Sequence, residues 1–191
     1  MNKIIQSINN SIDVKNKIIN NRGLLEIIQK VVNEIISAFK ADKKVLFCGN
    51  GGSAADAQHL AAEFSGRFYF DRPPLFSEAL HVNTSYITAV ANDYSYDEIY
   101  SRLVLAKGRK GDILIGLSTS GNSKNIIKAF ETAHSIGMLN IALTGETGGK
   151  MKELSDYLIN VPSIDTPRIQ EAHITIGHII CQLVEEELFK R

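Results

Sequence analysis

The predicted fold depends on the stretch Val45-Leu46-Phe47-Cys48-Gly49-Asn50-Gly51-Gly52-Ser53-Ala54. It begins with a continuous apolar run, and glycines and small polar residues follow. An unbroken apolar run indicates a strand buried on both faces, which is typical of parallel sheets. The stretch therefore predicts a buried strand, a tight loop and the start of a helix.

Strand and helix signals then alternate along the chain. A second apolar run at 113–117 precedes a small polar loop at 118–123 and a helical segment to about residue 137. Further strand-like segments lie at 78–82, 140–145 and 157–162, with a short helix near 150–154 and a long helix from residue 166 onward. Because alternating strands and helices form βαβ units, we expect an α/β protein whose parallel sheet is covered on both faces.

Composition bounds the function classes. The chain has 191 residues, 44% of them apolar, with 21 Lys and Arg against 21 Asp and Glu. This length suits one domain over 1–191, and the balanced charge argues against a general nucleic-acid binder or a peripheral membrane protein. Cys48 and Cys181 lie in separate apolar runs, which favours buried free thiols. The polar amino end has no signal-peptide core and no run is long enough for a membrane helix, so the prediction is a cytoplasmic protein.

Residues 1–40 are predicted to form two amphipathic helices ahead of an α/β core at 41–191. Ile4, Ile8 and Ile12 repeat at helical spacing, and residues 20–23 separate the two helices. Together the helices offer more apolar surface than one small sheet needs. We interpret the excess as an oligomer interface, with packing inside the chain as the alternative.

The glycine loop, Gly49 to Ala54, matches the letters of the dinucleotide fingerprint G-x-G-x-x-A. That fingerprint also needs an acidic residue at the end of a second strand about 20 positions on. Asp71 has about the right spacing but lies in a proline-containing segment where no strand is predicted to end. The position of Asp71 therefore argues against an NAD site. A simple turn would need the glycines but not Asn50 and Ser53, so we favour a loop that binds a substrate or anion.

The serine loop, Ser118-Thr119-Ser120-Gly121-Asn122-Ser123, lies between a strand and a helix. Its four hydroxyls exceed the need of an ordinary helix cap, which uses one. The loop contains no Lys or Arg and is not a P-loop, whereas phosphoryl transfer needs cations on the developing charge. It therefore indicates a phosphate held as a handle, bound by hydroxyls and by the helix N-terminus.

Two pairs of polar residues lie at helical spacing. His59 and Glu63 are four residues apart on the helix after the glycine loop, and Gln170 and His178 lie eight apart on the last helix. Such a set could bind a divalent ion such as zinc, or supply a base and an acid for proton transfer. Spacing leaves both open and does not show that the helices meet. His173 is predicted on a different face from His178.

These motifs together resemble the sugar isomerase (SIS) domain family and, within it, the phosphoheptose isomerases. The resemblance covers nearly the whole chain. It is carried by the following segments: Cys48 to Ser53, Asp56-Ala57-x-His59, Glu63, Ser65-Gly66-Arg67, Asn92-Asp93, Ser118 to Ser123, Thr144-Gly145, Gly148 to Met151, Arg168 to Glu171, His173 and His178.

The resemblance implies a fold, an assembly and a reaction. The fold is a flavodoxin-like three-layer α/β/α sandwich with a five-stranded parallel sheet, and the assembly is a homotetramer with active sites between subunits. The reaction converts sedoheptulose 7-phosphate into D-glycero-D-manno-heptose 7-phosphate through an enediol. This step belongs to bacterial heptose synthesis for lipopolysaccharide or capsule.

The resemblance also implies residue roles. Glu63 is the catalytic base and His178 the acid, and one zinc ion per subunit is bound by His59, Glu63, Gln170 and His178. The expected substrate-binding residues are Asn50, Gly51, Gly52, Ser53, Glu63, Asn92, Asp93, Ser118, Thr119, Ser120, Ser123 and Gln170. From the residues alone, Asn92 and Asp93 would by default belong to a turn, with a sugar-hydroxyl ligand as the alternative.

One non-enzymatic alternative resembles the chain closely. It is the bacterial adaptor of the same fold that binds the replication initiator DnaA. Because the chain has both Glu63 and His178, we favour the isomerase.

Overall fold

The computed structural model describes residues 1–189, which form seven α-helices and five β-strands. The helices are α1 (Asn2–Ile19), α2 (Arg22–Lys40), α3 (Gly52–Ser65), α4 (Thr84–Asp93), α5 (Ile99–Lys107), α6 (Lys124–Ser135) and α7 (Thr166–Leu188). The strands are β1 (Val45–Gly49), β2 (Ser77–Ala79), β3 (Ile113–Ser118), β4 (Leu139–Thr144) and β5 (Tyr157–Asn160). Short 3₁₀ turns cover Tyr96–Glu98 and Gly149–Leu154.

The strands form one parallel sheet in the order β2-β1-β3-β4-β5. This is the flavodoxin-like order, in which ligands bind beyond the carboxyl ends of the strands where the order reverses. The reversal lies between β1 and β3, whose pairing runs from Val45 opposite Ile113 to Gly49 opposite Leu117. The glycine loop after β1 and the serine loop after β3 therefore flank the point where a ligand is expected.

Alternation along the strands divides the core between two faces of the sheet. Phe47 and Ile115 belong to a cluster with α1, α2, α3 and α7, whereas Leu46 and Leu114 belong to a second cluster with α4, α5 and α6. Successive strand residues point to opposite faces, so fully buried strands supply both clusters. The three-layer α/β/α prediction is thereby confirmed.

Most predicted elements match the structure, with three differences. The edge strand predicted at 78–82 is the short β2, and the strand predicted at 157–162 ends at Asn160. The sequence patterns did not predict α5, which runs from Ile99 to Lys107. Cys48 and Cys181 are buried free thiols, as expected, and burial raises the pKa of each well above its usual range.

The two N-terminal helices differ in how they use their apolar faces. In α2, the apolar residues are buried against the sheet and α7, among them Leu24, Ile28 and Val31. The apolar face of α2 therefore packs inside the chain, which is the alternative to an oligomer interface. In α1 only Val14 and Ile18 are buried. Within residues 1–189, no helix combines the length and hydropathy needed to span a membrane.

Candidate active site

Helices α3 and α7 lie side by side, so the two pairs of polar residues meet. Gly177 of α7 faces Leu60 of α3, and a Cβ at this glycine would lie 2.6 Å from both Leu60 methyl groups. Only a residue without a side chain permits so close an approach. His59 and Glu63 on α3 are thereby brought next to His178 on α7, a contact between helices that spacing could not predict.

The three residues form a compact cluster. The Nε2 atoms of His59 and His178 are 2.8 Å apart, and His59 Nε2 lies 3.2 Å from a carboxylate oxygen of Glu63. Half of the His59 side chain is exposed, so solvent and ligands can reach the cluster. A carboxylate and two imidazoles at one exposed point can remove a proton from one atom of a ligand and deliver one to another.

The same cluster fits a divalent metal ion. One ligand atom from each of His59, Glu63 and His178 lies within 4.8 Å of the others, and imidazole nitrogen with carboxylate oxygen is a donor set that zinc accepts. Asp56, one turn before His59, has a buried Oδ2 atom without a hydrogen-bond partner among the described residues. Burial raises the pKa of Asp56, while charge on His59 and His178 opposes that shift.

Gln170 also faces α3, closer to its N-terminal end. A Cβ added at Gly52 would lie 2.7 Å from the Gln170 amide nitrogen. The predicted amide ligand thus lies beside the glycine loop, at the N-terminal end of α3. All four residues predicted for metal binding or proton transfer therefore lie where α3 contacts α7: His59, Glu63, Gln170 and His178.

Asn50 of the glycine loop is held by two residues that sequence reasoning missed. Its side-chain amide exchanges two hydrogen bonds of 2.9 Å with the amide of Asn125 on α6. The hydroxyl of Tyr96 donates to the same Asn50 oxygen at 3.0 Å, and Tyr100 donates to the carbonyl of Gly49. These bonds join the glycine loop to the helix that follows the serine loop, so the two loops share one fixed arrangement.

The serine loop does not act as a helix cap. Ser123 is the N-cap residue of α6, but its side chain makes no capping hydrogen bond. Instead its hydroxyl lies 3.0 Å from that of Ser118. The surplus of hydroxyls is therefore not explained by capping, which supports their reading as phosphate ligands.

The segment after β4 holds the serine loop from the other side. The loop's Thr119 carbonyl accepts the N–H of Gly145, and its Gly121 carbonyl accepts that of Met151. Gly121 has a φ of 64°, and a Cβ there would lie 2.1 Å from the Gly148 carbonyl oxygen. A side chain at Gly121 is thus excluded by both conformation and space.

The remaining predicted ligands differ in exposure. Asn92 and Asp93 end α4, where they are exposed and hydrogen-bond to each other at 2.9 Å. Ser120 is exposed, whereas Ser53 is buried, at 4% exposure. His173 is fully buried with a ring nitrogen 3.1 Å from the Thr144 carbonyl, and burial lowers its pKa to about 4. His173 thus lies on a different face of α7 from His178, and this agrees with the prediction.

Two features argue against the dinucleotide alternative. Asp71 is exposed in the irregular segment between α3 and β2, so no strand ends at it. Asn50, in the loop after β1, is hydrogen-bonded to Asn125 of α6, the helix that follows the serine loop, and not to an acidic residue at a strand end. The geometry fits two loops that share one small ligand better than a dinucleotide site.

Known proteins are similar to this chain in sequence and in structure. Residues 9–145 match the SIS domain family. The chain is 55% identical over 191 residues to a phosphoheptose isomerase of Aneurinibacillus thermoaerophilus, covering all of this chain and 96% of that protein.

Two solved structures are similar over almost their full length. The phosphoheptose isomerase of Neisseria gonorrhoeae has a TM-score of 0.91 and 41% identity, with 97% of this chain and 98% of that chain covered. The phosphoheptose isomerase of Francisella tularensis has a TM-score of 0.93 and 37% identity, with 97% of each chain covered. This chain therefore belongs to the phosphoheptose isomerase family of SIS-domain proteins.

Proposed function

We propose that the chain converts sedoheptulose 7-phosphate into D-glycero-D-manno-heptose 7-phosphate. The observation that carries this proposal is the meeting of Glu63, His59 and His178 at one exposed point, where the helix that follows the glycine loop meets α7. Relatives that bear the isomerase name support it. They give no support to the DnaA-binding alternative.

Glu63 and His178 divide the proton transfers. The Glu63 carboxylate removes a proton from C1 of the open-chain ketose, and the C–H electrons form the C1–C2 double bond. His178 gives a proton to the carbonyl oxygen at C2, which yields the cis-enediol. The proton on Glu63 then goes to C2 while the C1 hydroxyl returns its proton to His178, so the aldose forms with no net gain or loss of protons.

The serine and glycine loops orient the other end of the substrate. Hydroxyls of Ser118, Thr119, Ser120 and Ser123 would bind the 7-phosphate, with the backbone of Gly51 and Gly52 nearby. Asn50, Asn92, Asp93 and Gln170 would contact sugar hydroxyls. Binding remote from the reacting carbons fixes the near-attack geometry, which is the usual use of a phosphate handle.

Zinc is the cofactor that we propose for this site. His59, Glu63, Gln170 and His178 would hold it, and the donor atoms of His59, Glu63 and His178 already lie close together. Bound zinc would supply Lewis-acid stabilisation of an enediolate oxygen. Glu63 would then be both a ligand of the ion and the base.

A turnover assay tests the function and the metal separately. The purified chain should convert sedoheptulose 7-phosphate into the aldose without added nicotinamide, and dialysis against a chelator should lower the rate until Zn²⁺ restores it. No turnover by correctly folded protein would overturn the isomerase proposal. Full turnover in chelator would overturn only the zinc proposal.

Removing two hydroxyls of the serine loop should mainly weaken binding. We expect Ser118→Ala with Ser120→Ala to raise KM for the phosphorylated sugar by about 100-fold or more, since each of the two lost hydrogen bonds to a charged group is worth about 1.5–3 kcal/mol. Steady-state kinetics measure this, with Ser135→Ala on the far end of α6 as the control. An unchanged KM would exclude the loop as the phosphate site.

We also propose a homotetramer with active sites between subunits, and a cytoplasmic location. Apolar side chains of α1 remain exposed, with Ile4 at 63%, Ile8 at 56% and Ile12 at 49%. Arg168, two residues before Gln170, donates to the Ser7 carbonyl at 2.6 Å, so a neighbour covering α1 would lie near the site. Buried free thiols suit a reducing compartment.

Light scattering tests the assembly. We expect a mass of about four chains for the unmodified protein, and a smaller species for Ile8→Lys with Ile12→Lys, because charge on a buried apolar patch opposes association. Asn10→Lys adds a lysine on another face of α1 and should leave the mass unchanged. A monomeric mass for the unmodified chain would contradict the proposal.

A further inference from the structure

We infer that Arg72 and Glu185 form a buried clasp that sets the positions of Glu63 and His178. The inference rests on the proposed function, because it concerns the base and the acid named there. Neither clasp residue contacts the reacting atoms, so both are positioning residues. We call this pair, together with its hydrogen bonds, the Arg72–Glu185 clasp.

Glu185 accepts several hydrogen bonds from the segment that follows α3. Its side chain is 1% exposed on α7, and its carboxylate accepts hydrogen bonds from the following donors: the N–H groups of Phe68 at 3.0 Å, Tyr69 at 2.6 Å and Phe70 at 3.3 Å, and Arg72 Nε at 2.9 Å. Burial alone would raise the pKa of Glu185, but these donors outweigh it and hold the pKa below its usual range. The carboxylate is therefore ionised, and the donors hold the segment on α7.

Arg72 holds the end of α3 that carries Glu63. Its Nη2 donates to the Glu63 carbonyl at 2.8 Å, and its Nη1 donates to the carbonyls of Phe64 at 2.7 Å and Gly66 at 3.2 Å. These carbonyls belong to the last turn of the helix, where no further helical N–H is available. The guanidinium thus fixes the turn from which the Glu63 side chain projects.

The clasp also fixes the surroundings of His178. Phe68, held through its N–H by Glu185, has its ring 5.7 Å from the His178 ring. Glu185 lies seven residues after His178, about two turns, so both project from the same face of α7. The Glu185 carboxylate thereby holds the Phe68 ring against His178, the proposed acid. Its partner Arg72 holds the helix turn that carries Glu63, the proposed base.

The buried ion pair of Lys44 and Asp112 lies far from the proposed site and serves as a structural comparison. Asp112, at the start of β3, is 1% exposed, pairs with Lys44 and accepts the N–H groups of Lys44 and Arg109. It lies at the opposite end of β3 from the serine loop, which follows the end of that strand. Asp112→Asn therefore serves as a matched control for Glu185→Gln, since each replaces a buried carboxylate by an amide.

The test compares kcat and KM per folded molecule for the unmodified chain, Glu185→Gln, Arg72→Lys and Asp112→Asn. We expect both clasp variants to lose about 10- to 100-fold in kcat, the usual effect of misplacing a reacting group, with KM within about twofold. Asp112→Asn should show a similar drop in urea midpoint but an unchanged kcat. Because Glu185→Gln removes one partner of a buried pair and could prevent folding, Phe68→Leu provides a milder variant and should also lower kcat.

A spectroscopic measurement separates this inference from the proposed function. The Phe68 ring should shift the imidazole proton signals of His178, which are identified by their loss in His178→Gln. We expect the shift to disappear in Phe68→Leu and to change in Glu185→Gln, but to persist in Asp112→Asn. Unchanged His178 signals and kcat in the clasp variants would overturn the inference. An inactive unmodified chain with the expected shifts would overturn the function and leave the clasp in place.

Discussion

Glu63→Gln should lower kcat for sedoheptulose 7-phosphate by about 10²- to 10⁴-fold, which corresponds to about 3 to 5 kcal/mol of transition-state stabilisation. The amide keeps the shape of the side chain but cannot accept a proton from C1. Substrate binding depends mainly on the loops, so affinity for the reduced heptitol 7-phosphate, which cannot react, should stay within a few-fold of the unmodified chain. Turnover kinetics and calorimetric titration measure the two quantities.

The isomerisation of Glu63→Gln in D₂O provides the sharper readout. The unmodified chain should introduce solvent deuterium at the carbon that receives the proton, and the variant should not. Glu131→Gln is the control, because Glu131 is an exposed carboxylate on α6, away from α3 and α7. Retention of turnover and deuterium incorporation in Glu63→Gln would eliminate this residue as the base.

The second large effect is expected for His178→Gln. The glutamine amide can form a hydrogen bond to the substrate oxygen but cannot give up a proton, so kcat should again fall by about 10²- to 10⁴-fold. Loss of one of the three clustered donor groups should also lower the zinc content of the purified protein. Assays of turnover and elemental analysis of the metal check these two expectations.

His134→Gln is the matched control for His178→Gln. His134 is exposed near the end of α6 and contributes to neither loop, so this variant should keep the kcat and zinc content of the unmodified chain. A His178→Gln variant with near-normal turnover would show that another group protonates the substrate oxygen. Normal zinc content together with low turnover would confine the role of His178 to proton transfer.

The sequence predicted the fold because its strand signals are local. The apolar run from Val45 to Cys48 needs no partner to be recognised as a buried strand, and the same holds for 113–117. The serine loop was equally visible, since its hydroxyls are contiguous. Family resemblance, not periodicity, gave the tetramer, the reaction and the ligand roles.

What the sequence did not reveal are contacts between distant segments. Glu185 opens a run of three glutamates near the end of a helix, a pattern typical of a solvated surface, yet the structure buries it against a segment more than 100 residues earlier. Asn125 and Tyr96 likewise meet Asn50 only through the fold. Helical period identifies a face but not its partner, and here the missing side chain of Gly177 decides how close two faces come.

The serine loop is fastened on both sides before any ligand arrives. Backbone bonds from Gly145 and Met151 hold it on one side, and the paired amides of Asn50 and Asn125 hold the following helix on the other. A loop with little conformational freedom to lose has a small entropy penalty when the phosphate binds. More of the favourable binding free energy then remains to align C1 and C2 with Glu63 and His178, so the rigidity of the loop contributes to rate and not only to affinity.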